Sequence, residues 1–141
     1  MAVHFNTIDG DAFYYASKGF DLDDVVELAR LEADSFDAVD TLIGVGLSGA
    51  LVVPHLAWRF HKHFCIVRKE AEMAASHNHA SHRPAQGRIG DSWAFIDDFI
   101  IDGYTRDRAI QVVEELAPES RFVGVFLYDD ESHGPWSLVD D

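Results

Sequence analysis

Two adjacent carboxylates are the side chains best suited to chemistry in this sequence. Asp97 and Asp98 directly follow the apolar run Trp93-Ala94-Phe95-Ile96. Neighbouring carboxylates repel one another at the end of a buried strand unless a ligand or a metal ion relieves the repulsion. Because side chains alternate along a strand, we expect the two acids to point in different directions. Together they are candidate catalytic residues and Mg²⁺ ligands, able to hold a diol or the hydrated ion.

A glycine and a hydroxyl follow this pair at a predicted helix start. Gly103-Tyr104-Thr105 precedes apolar residues at helical spacing, namely Ala109, Val112, Val113 and Leu116. Free backbone N–H groups and the positive end of the helix dipole attract anions at such a start. The segment therefore predicts a phosphate site to which Thr105 adds its hydroxyl.

Glycine or charge also follows the other apolar runs. In open parallel sheets, ligands bind where the carboxyl ends of the strands meet, so these positions are expected to line one site. The candidates are Gly44–Gly49 after residues 41–45, Arg68-Lys69 after residues 64–67, and Tyr128-Asp129 after residues 122–127.

The elements that position these residues alternate between helix and strand. Helical spacing predicts helices over 22–36 and 49–60, and short apolar runs between the helices predict strands. This alternation indicates an α/β fold, a mainly parallel sheet with helices on both faces. A chain of 141 residues predicts a single domain over 1–141, with its core at about 40–128. Residues 70–90 lack a sustained apolar period and predict a flexible, functional loop.

Composition excludes several classes of function. The net charge is −14, and eight of the eleven Lys and Arg residues fall within 58–108 without forming a basic stripe, so no nucleic-acid partner is expected. No apolar run approaches the roughly 20 residues of a membrane span, and no secretion signal is evident, so a cytoplasmic location is expected. The single cysteine, Cys65, lies in an apolar run and predicts a buried, inert thiol.

The segment Phe95–Thr105, FIDDFIIDGYT, resembles the phosphoribosyl pyrophosphate motif of type I phosphoribosyltransferases. The resemblance implies that Asp97 and Asp98 hold the ribose hydroxyls with Mg²⁺ nearby. It also implies that the following loop wraps the 5′-phosphate, through Asp102, Gly103, Tyr104 and Thr105.

Two further segments agree in order and spacing. Gly44–Gly49 is similar to the family's pyrophosphate loop, and Val67–Ala71 is similar to the Arg-Lys-Glu-Ala opening of the mobile loop in orotate phosphoribosyltransferases. The resemblance implies pyrophosphate contacts from Ser48, Gly49, Arg68 and Lys69. It implies transfer of a phosphoribosyl group from phosphoribosyl pyrophosphate to a nucleobase, with Mg²⁺ as cofactor and a homodimer as the assembly.

The sequence departs from the family pattern at the site. Asp102 replaces a phosphate-binding threonine, and Glu72 replaces the mobile lysine that neutralises pyrophosphate in the orotate enzymes. Ile101 stands where purine-specific members often carry an acid. Residues 1–20 and 129–141 supply little chain for the family's hood over the nucleobase, so a reduced hood is expected.

Several alternatives remain open at this point. His77, His79 and His82 could replace the lost lysine charge when protonated, or bind a metal ion. A non-catalytic protein that binds ribose phosphate for regulation fits the same motif. Gly44-x-Gly46-x-x-Gly49, with Glu70 downstream, also fits the dinucleotide-binding fingerprint.

Overall fold

The computed structural model of the chain describes residues 22–74, 83–98, 103–128 and 136–138. Within these ranges six strands form one sheet in the order β3-β2-β1-β4-β5-β6. The four central strands are parallel, and the two edge strands, β3 and β6, run antiparallel to their neighbours. The strands are β1 Thr41–Val45, β2 His63–Val67, β3 Ala85–Gly87, β4 Ser92–Asp97, β5 Arg121–Leu127 and β6 Trp136–Leu138.

Helices cover both faces of this sheet. The helices in the described ranges are α1 Leu22–Leu31, α2 Ala33–Asp37, α3 Gly46–Phe60, α4 Glu70–Ala74 and α5 Tyr104–Leu116. Residues of α1, α2 and α3 pack on the face that carries Leu42 and Ile96, while α5 packs on the face that carries Ile43 and Phe95. Consecutive strand residues thus enter opposite apolar layers, which is why the runs are continuously apolar. The predicted α/β class is confirmed.

Helix length bears on the membrane question. The longest helix within the described ranges, α3, has 15 residues, and none of the helices there is long and apolar enough to cross a bilayer.

The prediction of one loop over 70–90 is wrong at both ends. Residues 70–74 form α4, and residues 85–87 form β3, which pairs with β2 so that Ala85 lies opposite Val67. Gly87 has a φ of +133°, and a Cβ there would collide with the carbonyl oxygen of Phe64. Backbone pairing with an open strand edge needs no apolar side chains, so hydropathy gives no signal for β3. Residues 75–82 lie outside the described ranges.

The predicted helix boundaries also shift. The helix expected over 22–36 is divided at Glu32, whose φ of −109° and ψ of 28° lie outside the helical range, into α1 and α2. Phe36 of α2 stacks on Phe60 and meets Phe126 edge-on, at centroid distances of 5.4 and 5.0 Å. The second helix begins at Gly46, earlier than the expected residue 49.

Asp40 joins the amino ends of β1 and β4. Its Oδ1 accepts a hydrogen bond from the Thr41 hydroxyl (2.7 Å), and its Oδ2 accepts one from the Asp91 N–H (2.8 Å). Burial raises the pKa of this carboxyl. The two hydrogen bonds, a third from the Ser92 N–H and the positive charge of nearby His63 lower the pKa, and together they outweigh burial. The ionised carboxylate therefore stabilises the fold.

We predict that Asp40→Asn destabilises the protein by about 1 kcal/mol at pH 7, because the Asn amide places a donor against an N–H and the site is partly exposed. The pKa is lowered in the folded state, so the contribution is present above the ordinary pKa of 3.8 and is lost as pH falls through the folded value. Urea unfolding at pH 7 and at about pH 3 measures this. The exposed Asp37→Asn is the control, and equal midpoints for Asp40→Asn and wild type at pH 7 would contradict the prediction.

Candidate functional site

The carboxyl ends of four parallel strands lie side by side. Val45 pairs with Val67 and Asp97 pairs with Leu127, while Ile43 pairs with Phe95, two residues before those ends. The first residues beyond the strands, which are Gly46, Arg68, Asp98 and Tyr128, therefore share one edge of the sheet. This is the edge at which the sequence predicted a site.

Asp97 is the central residue of this edge. Its Oδ1 accepts a hydrogen bond from the Asp98 N–H (2.9 Å), and its Oδ2 accepts one from the Thr105 hydroxyl (3.1 Å). Its backbone carbonyl accepts the N–H of Tyr128 (3.1 Å). The structure thus brings together the acid and the hydroxyl that the sequence assigned to ribose and phosphate.

The two acids were expected to point in different directions, but their carboxyl groups interact, and Asp98 raises the pKa of Asp97. Strand β4 ends at Asp97, so the alternation of a strand does not extend to Asp98. The two carboxyl groups consequently form one cluster, called here the acidic pair.

The pKa of the Asp97 carboxyl is raised to about 7. Burial is the largest cause, and the side chain and negative charge of Asp98 add to it, while the hydrogen bonds from the Asp98 N–H and the Thr105 hydroxyl lower the pKa. At neutral pH Asp97 therefore retains a proton for part of the time. A cation or a hydroxyl-bearing ligand at Asp97 would offset the cost of its burial and of the like charge beside it.

The start of α5 has the geometry expected of an anion site. Gly103 is the N-cap with a φ of 79°, a left-handed conformation that favours glycine, and no side chain caps the helix. Thr105 lies in the first turn, and Tyr104 is half exposed. Asp102 and the rest of residues 99–102 lie outside the described ranges, so the phosphate contact assigned to Asp102 stays a prediction.

Gly44 and Gly49 have a packing role that the sequence reading did not foresee. A Cβ on Gly44 would lie 2.8 Å from the Gly49 Cα, and a Cβ on Gly49 would lie 2.8 Å from the Gly44 carbonyl carbon. The two glycines let α3 contact β1 through backbone atoms. Gly44–Gly49 is thus the end of β1 and the first turn of α3, with Gly46 at a φ of 71° and Ser48 half buried. Pyrophosphate contacts from Ser48 and Gly49 stay predictions.

Arg68 and Lys69 follow β2 at the same edge. The Arg68 N–H donates to the Pro84 carbonyl (2.8 Å), Arg68 is half buried, and Lys69 is exposed. Glu72 belongs to α4 by its backbone, and its side chain lies outside the description.

Sequence reasoning missed Arg108. Its Nε donates to the Arg68 carbonyl (3.2 Å), its Nη2 lies 3.2 Å from the Met73 Sδ, and its Nη1 lies 3.6 Å from the Glu70 Oε1. The available signal was its spacing, because Arg108 follows Thr105 by three residues and lies on the same side of α5.

The remaining candidates have varied outcomes. Cys65 is buried, and burial raises its pKa to about 11, so the predicted inert thiol is confirmed. The loop histidines His77, His79 and His82 lie outside the described ranges. Among the residues described, no group of three or more His, Cys, Asp and Glu side chains is arranged to hold a metal ion.

Comparison with known proteins identifies the fold. An orotate phosphoribosyltransferase from Francisella tularensis superposes with a TM-score of 0.51 at 18% identity, over 75% of this chain and 50% of that one. The chain has a type I phosphoribosyltransferase-like fold. A hypoxanthine phosphoribosyltransferase from Staphylococcus aureus gives a TM-score of 0.43 at 11% identity, over 76% of this chain and 63% of that one, and the assignment rests on the first structure. Neither family models nor curated proteins match the sequence.

The chain spans half the length of the orotate enzyme. The likeness establishes the fold, while the chemistry has to be argued from the residues of this chain. The dinucleotide-binding alternative is disfavoured, because β3 runs antiparallel beside β2 where that fold has a parallel strand.

We predict that Asp97→Asn stabilises the protein by roughly 1–3 kcal/mol at pH 8, because it removes a buried charge beside Asp98. The Asp97 pKa is raised in the folded state, so ionisation costs stability as pH rises from about 4 to about 8. Urea unfolding across that range should show the variant's advantage shrinking toward pH 4. Exposed Glu119→Gln is the control, and an Asp97→Asn variant no more stable than wild type at pH 8 would refute the argument.

Proposed function

We propose that this chain binds phosphoribosyl pyrophosphate, or a nucleoside monophosphate, and transfers the phosphoribosyl group to a nucleobase with release of pyrophosphate. The observation that carries the proposal is the acidic pair at the end of a buried strand, hydrogen-bonded through Asp97 to Thr105 in the first turn of α5. The pair suits a ribose diol, and the helix start suits a 5′-phosphate. A single domain over 1–141 and a cytoplasmic location are part of the proposal.

Mg²⁺ fits the donors that the site offers. It prefers oxygen ligands and usually binds one or two carboxylates together with waters and substrate phosphates, so a site without three protein ligands is suitable. Asp97 and Asp98 would hold it. When bound, the ion would balance the negative charge of the phosphates.

The roles of the residues follow from their places on the edge. Asp97 and Asp98 would face the ribose and stabilise positive charge that develops at its anomeric carbon in an oxocarbenium-like transition state. Gly103, Tyr104 and Thr105 would bind the 5′-phosphate, with Asp102 beside them. Pyrophosphate would meet Ser48 and Gly49 at the start of α3 and Arg68 and Lys69 beyond β2.

A non-catalytic regulatory protein is the second candidate. Glu72 favours it, because an acid replaces the cation that neutralises leaving pyrophosphate in the orotate enzymes that this segment resembles. Such a protein would keep the ribose-phosphate contacts of the acidic pair and α5 without the transfer step.

We predict that calorimetry detects binding of phosphoribosyl pyrophosphate in the presence of Mg²⁺, with a Kd between about 1 µM and 1 mM. Asp97→Asn combined with Asp98→Asn should weaken binding at least about tenfold, because the ribose and Mg²⁺ lose their carboxylates. Glu119→Gln, distant from this edge, is the control. Absence of binding to the wild-type protein would overturn the proposal.

A pyrophosphate-release assay over orotate, uracil, hypoxanthine, guanine and adenine separates the two candidates. Release with one base establishes the transferase, and binding without release under every base supports the regulator. Glu72→Lys should increase release in an enzyme that lacks only that charge.

A homodimer also belongs to the proposal, and an apolar stripe on α3 supports it. Leu47, Leu51 and Trp58 lie along one side of the helix and are 69%, 48% and 75% exposed. Helix α3 itself carries no Asp or Glu in a chain of net charge −14, so two α3 helices in contact would not bring their own carboxylates together. Two α3 helices related by a two-fold axis would cover the stripe.

We predict that light scattering shows a dimer and that Trp58→Glu converts it to a monomer with an unchanged circular dichroism spectrum, because a carboxylate would be buried in the contact. Leu116→Glu, on α5 at the other face of the sheet, is the matched control and should stay dimeric. A monomeric wild type, or a dimeric Trp58→Glu variant, would exclude this surface.

A further inference from the structure

The chain leaves β2 at Arg68 and returns to the sheet at Pro84, and a backbone hydrogen bond joins these two residues. The Arg68 N–H donates to the Pro84 carbonyl (2.8 Å), and the Arg68 carbonyl accepts the Nε of Arg108 (3.2 Å). Arg68 and Pro84 are called here the loop root. The backbone of Arg68 is thus held on one side by the returning chain and on the other by α5.

Arg108 holds more than this one carbonyl. It also contacts the Met73 sulfur at 3.2 Å and the Glu70 carboxylate at 3.6 Å, so it spans α4 from one end to the other. Its side chain is 9% exposed, whereas that of Glu70 is 64% exposed. Burying a guanidinium costs free energy, and a carboxylate that lies largely in solvent compensates for little of that cost. An apolar side chain at this position would not incur it. Stability alone therefore does not account for an arginine here.

The same helix also holds the acidic pair. Thr105 and Arg108 are one turn apart on α5, and Thr105 donates to Asp97 while Arg108 donates to Arg68. The first turns of α5 therefore link the end of β4 to the end of β2. Arg108 additionally brings a largely buried positive charge to the Arg68 backbone, where burial reduces screening.

We propose that Arg108 is a positioning residue, which holds the loop root so that Arg68 and Lys69 face the pyrophosphate end of a ligand whose ribose lies at the acidic pair. This inference rests on the proposed function and adds to it the device that sets the spacing between the two ends of the site. Arg108 is too buried to be a ligand contact itself and acts through the backbone that it binds.

Two variants separate the charge of Arg108 from its shape. Arg108→Met removes both at similar volume, and Arg108→Lys keeps the charge without the planar fork that reaches Arg68 and Met73 together. The exposed Arg121→Met, at the opposite edge of the sheet, loses the same charge and is the control.

Calorimetry with Mg²⁺ and either pyrophosphate or ribose 5-phosphate tests the binding role. Arg108→Met should weaken pyrophosphate binding about tenfold or more, and ribose 5-phosphate binding less than about threefold. The pyrophosphate affinity of Arg108→Lys should lie between those of Arg108→Met and wild type. Arg121→Met should leave both unchanged. Equal weakening of the two ligands by Arg108→Met, or no weakening, would overturn the proposal.

Amide hydrogen exchange of the free protein tests the positioning role without a ligand. Residues 69–74 should exchange at least about tenfold faster in both Arg108 variants, and a rate equal to wild type would overturn the proposal. If the wild-type protein binds neither compound, the proposed function is wrong and the anion-positioning role fails with it.

Discussion

In a parallel sheet covered by helices on both faces, polar side chains are confined mainly to the two ends of the strands, called here the amino edge and the carboxyl edge. In this chain each edge carries a central aspartate, and the two aspartates have opposite environments. Asp40 at the amino edge receives hydrogen bonds from Thr41 and from backbone N–H groups, and its pKa is lowered. Asp97 at the carboxyl edge is buried beside a second carboxylate, and its pKa is raised to about 7. The ionised aspartate therefore stabilises the fold at the amino edge, whereas ionisation of the aspartate at the carboxyl edge costs stability.

This difference favours the carboxyl edge as the candidate site on energetic grounds, independently of the sequence motif. Asp40 is stabilised by its donors without a ligand, whereas the two hydrogen bonds that Asp97 accepts do not offset its burial and the like charge beside it. Perturbed carboxyl groups of this kind concentrate at binding and catalytic sites, because the cost in stability is recovered when a ligand arrives. The glycine contact between Gly44 and Gly49 serves the same edge, since it brings the start of α3 against β1.

The sequence predicts those parts of the fold that depend on burial. The four central strands are continuously apolar and were found within about one residue of their observed ends, because both of their faces are covered. β3 was missed because a strand edge is completed by backbone hydrogen bonds, which leave no trace in hydropathy. The orientation of Asp98 was missed because it depends on where β4 stops. Arg108 was missed because its contacts with Arg68 and Met73 join residues 35 to 40 positions away, and only the packing of α5 on the sheet brings them together.

The proposed polyanionic ligand has to be reconciled with a net charge of −14. On the β2 side of the carboxyl edge, Arg68 and Lys69 follow the strand and the buried Arg108 donates to the Arg68 carbonyl, with Glu70 largely in solvent. On the β4 side, the proton that Asp97 retains for part of the time near pH 7 lowers the negative charge at the end of that strand. The field at the edge thus depends on local burial and pairing, which act over a few ångströms, and the distant acids are screened at physiological ionic strength. The overall charge consequently says little about the ligand, and in the function that we propose the spacing between the β2 side and the β4 side sets which anion fits.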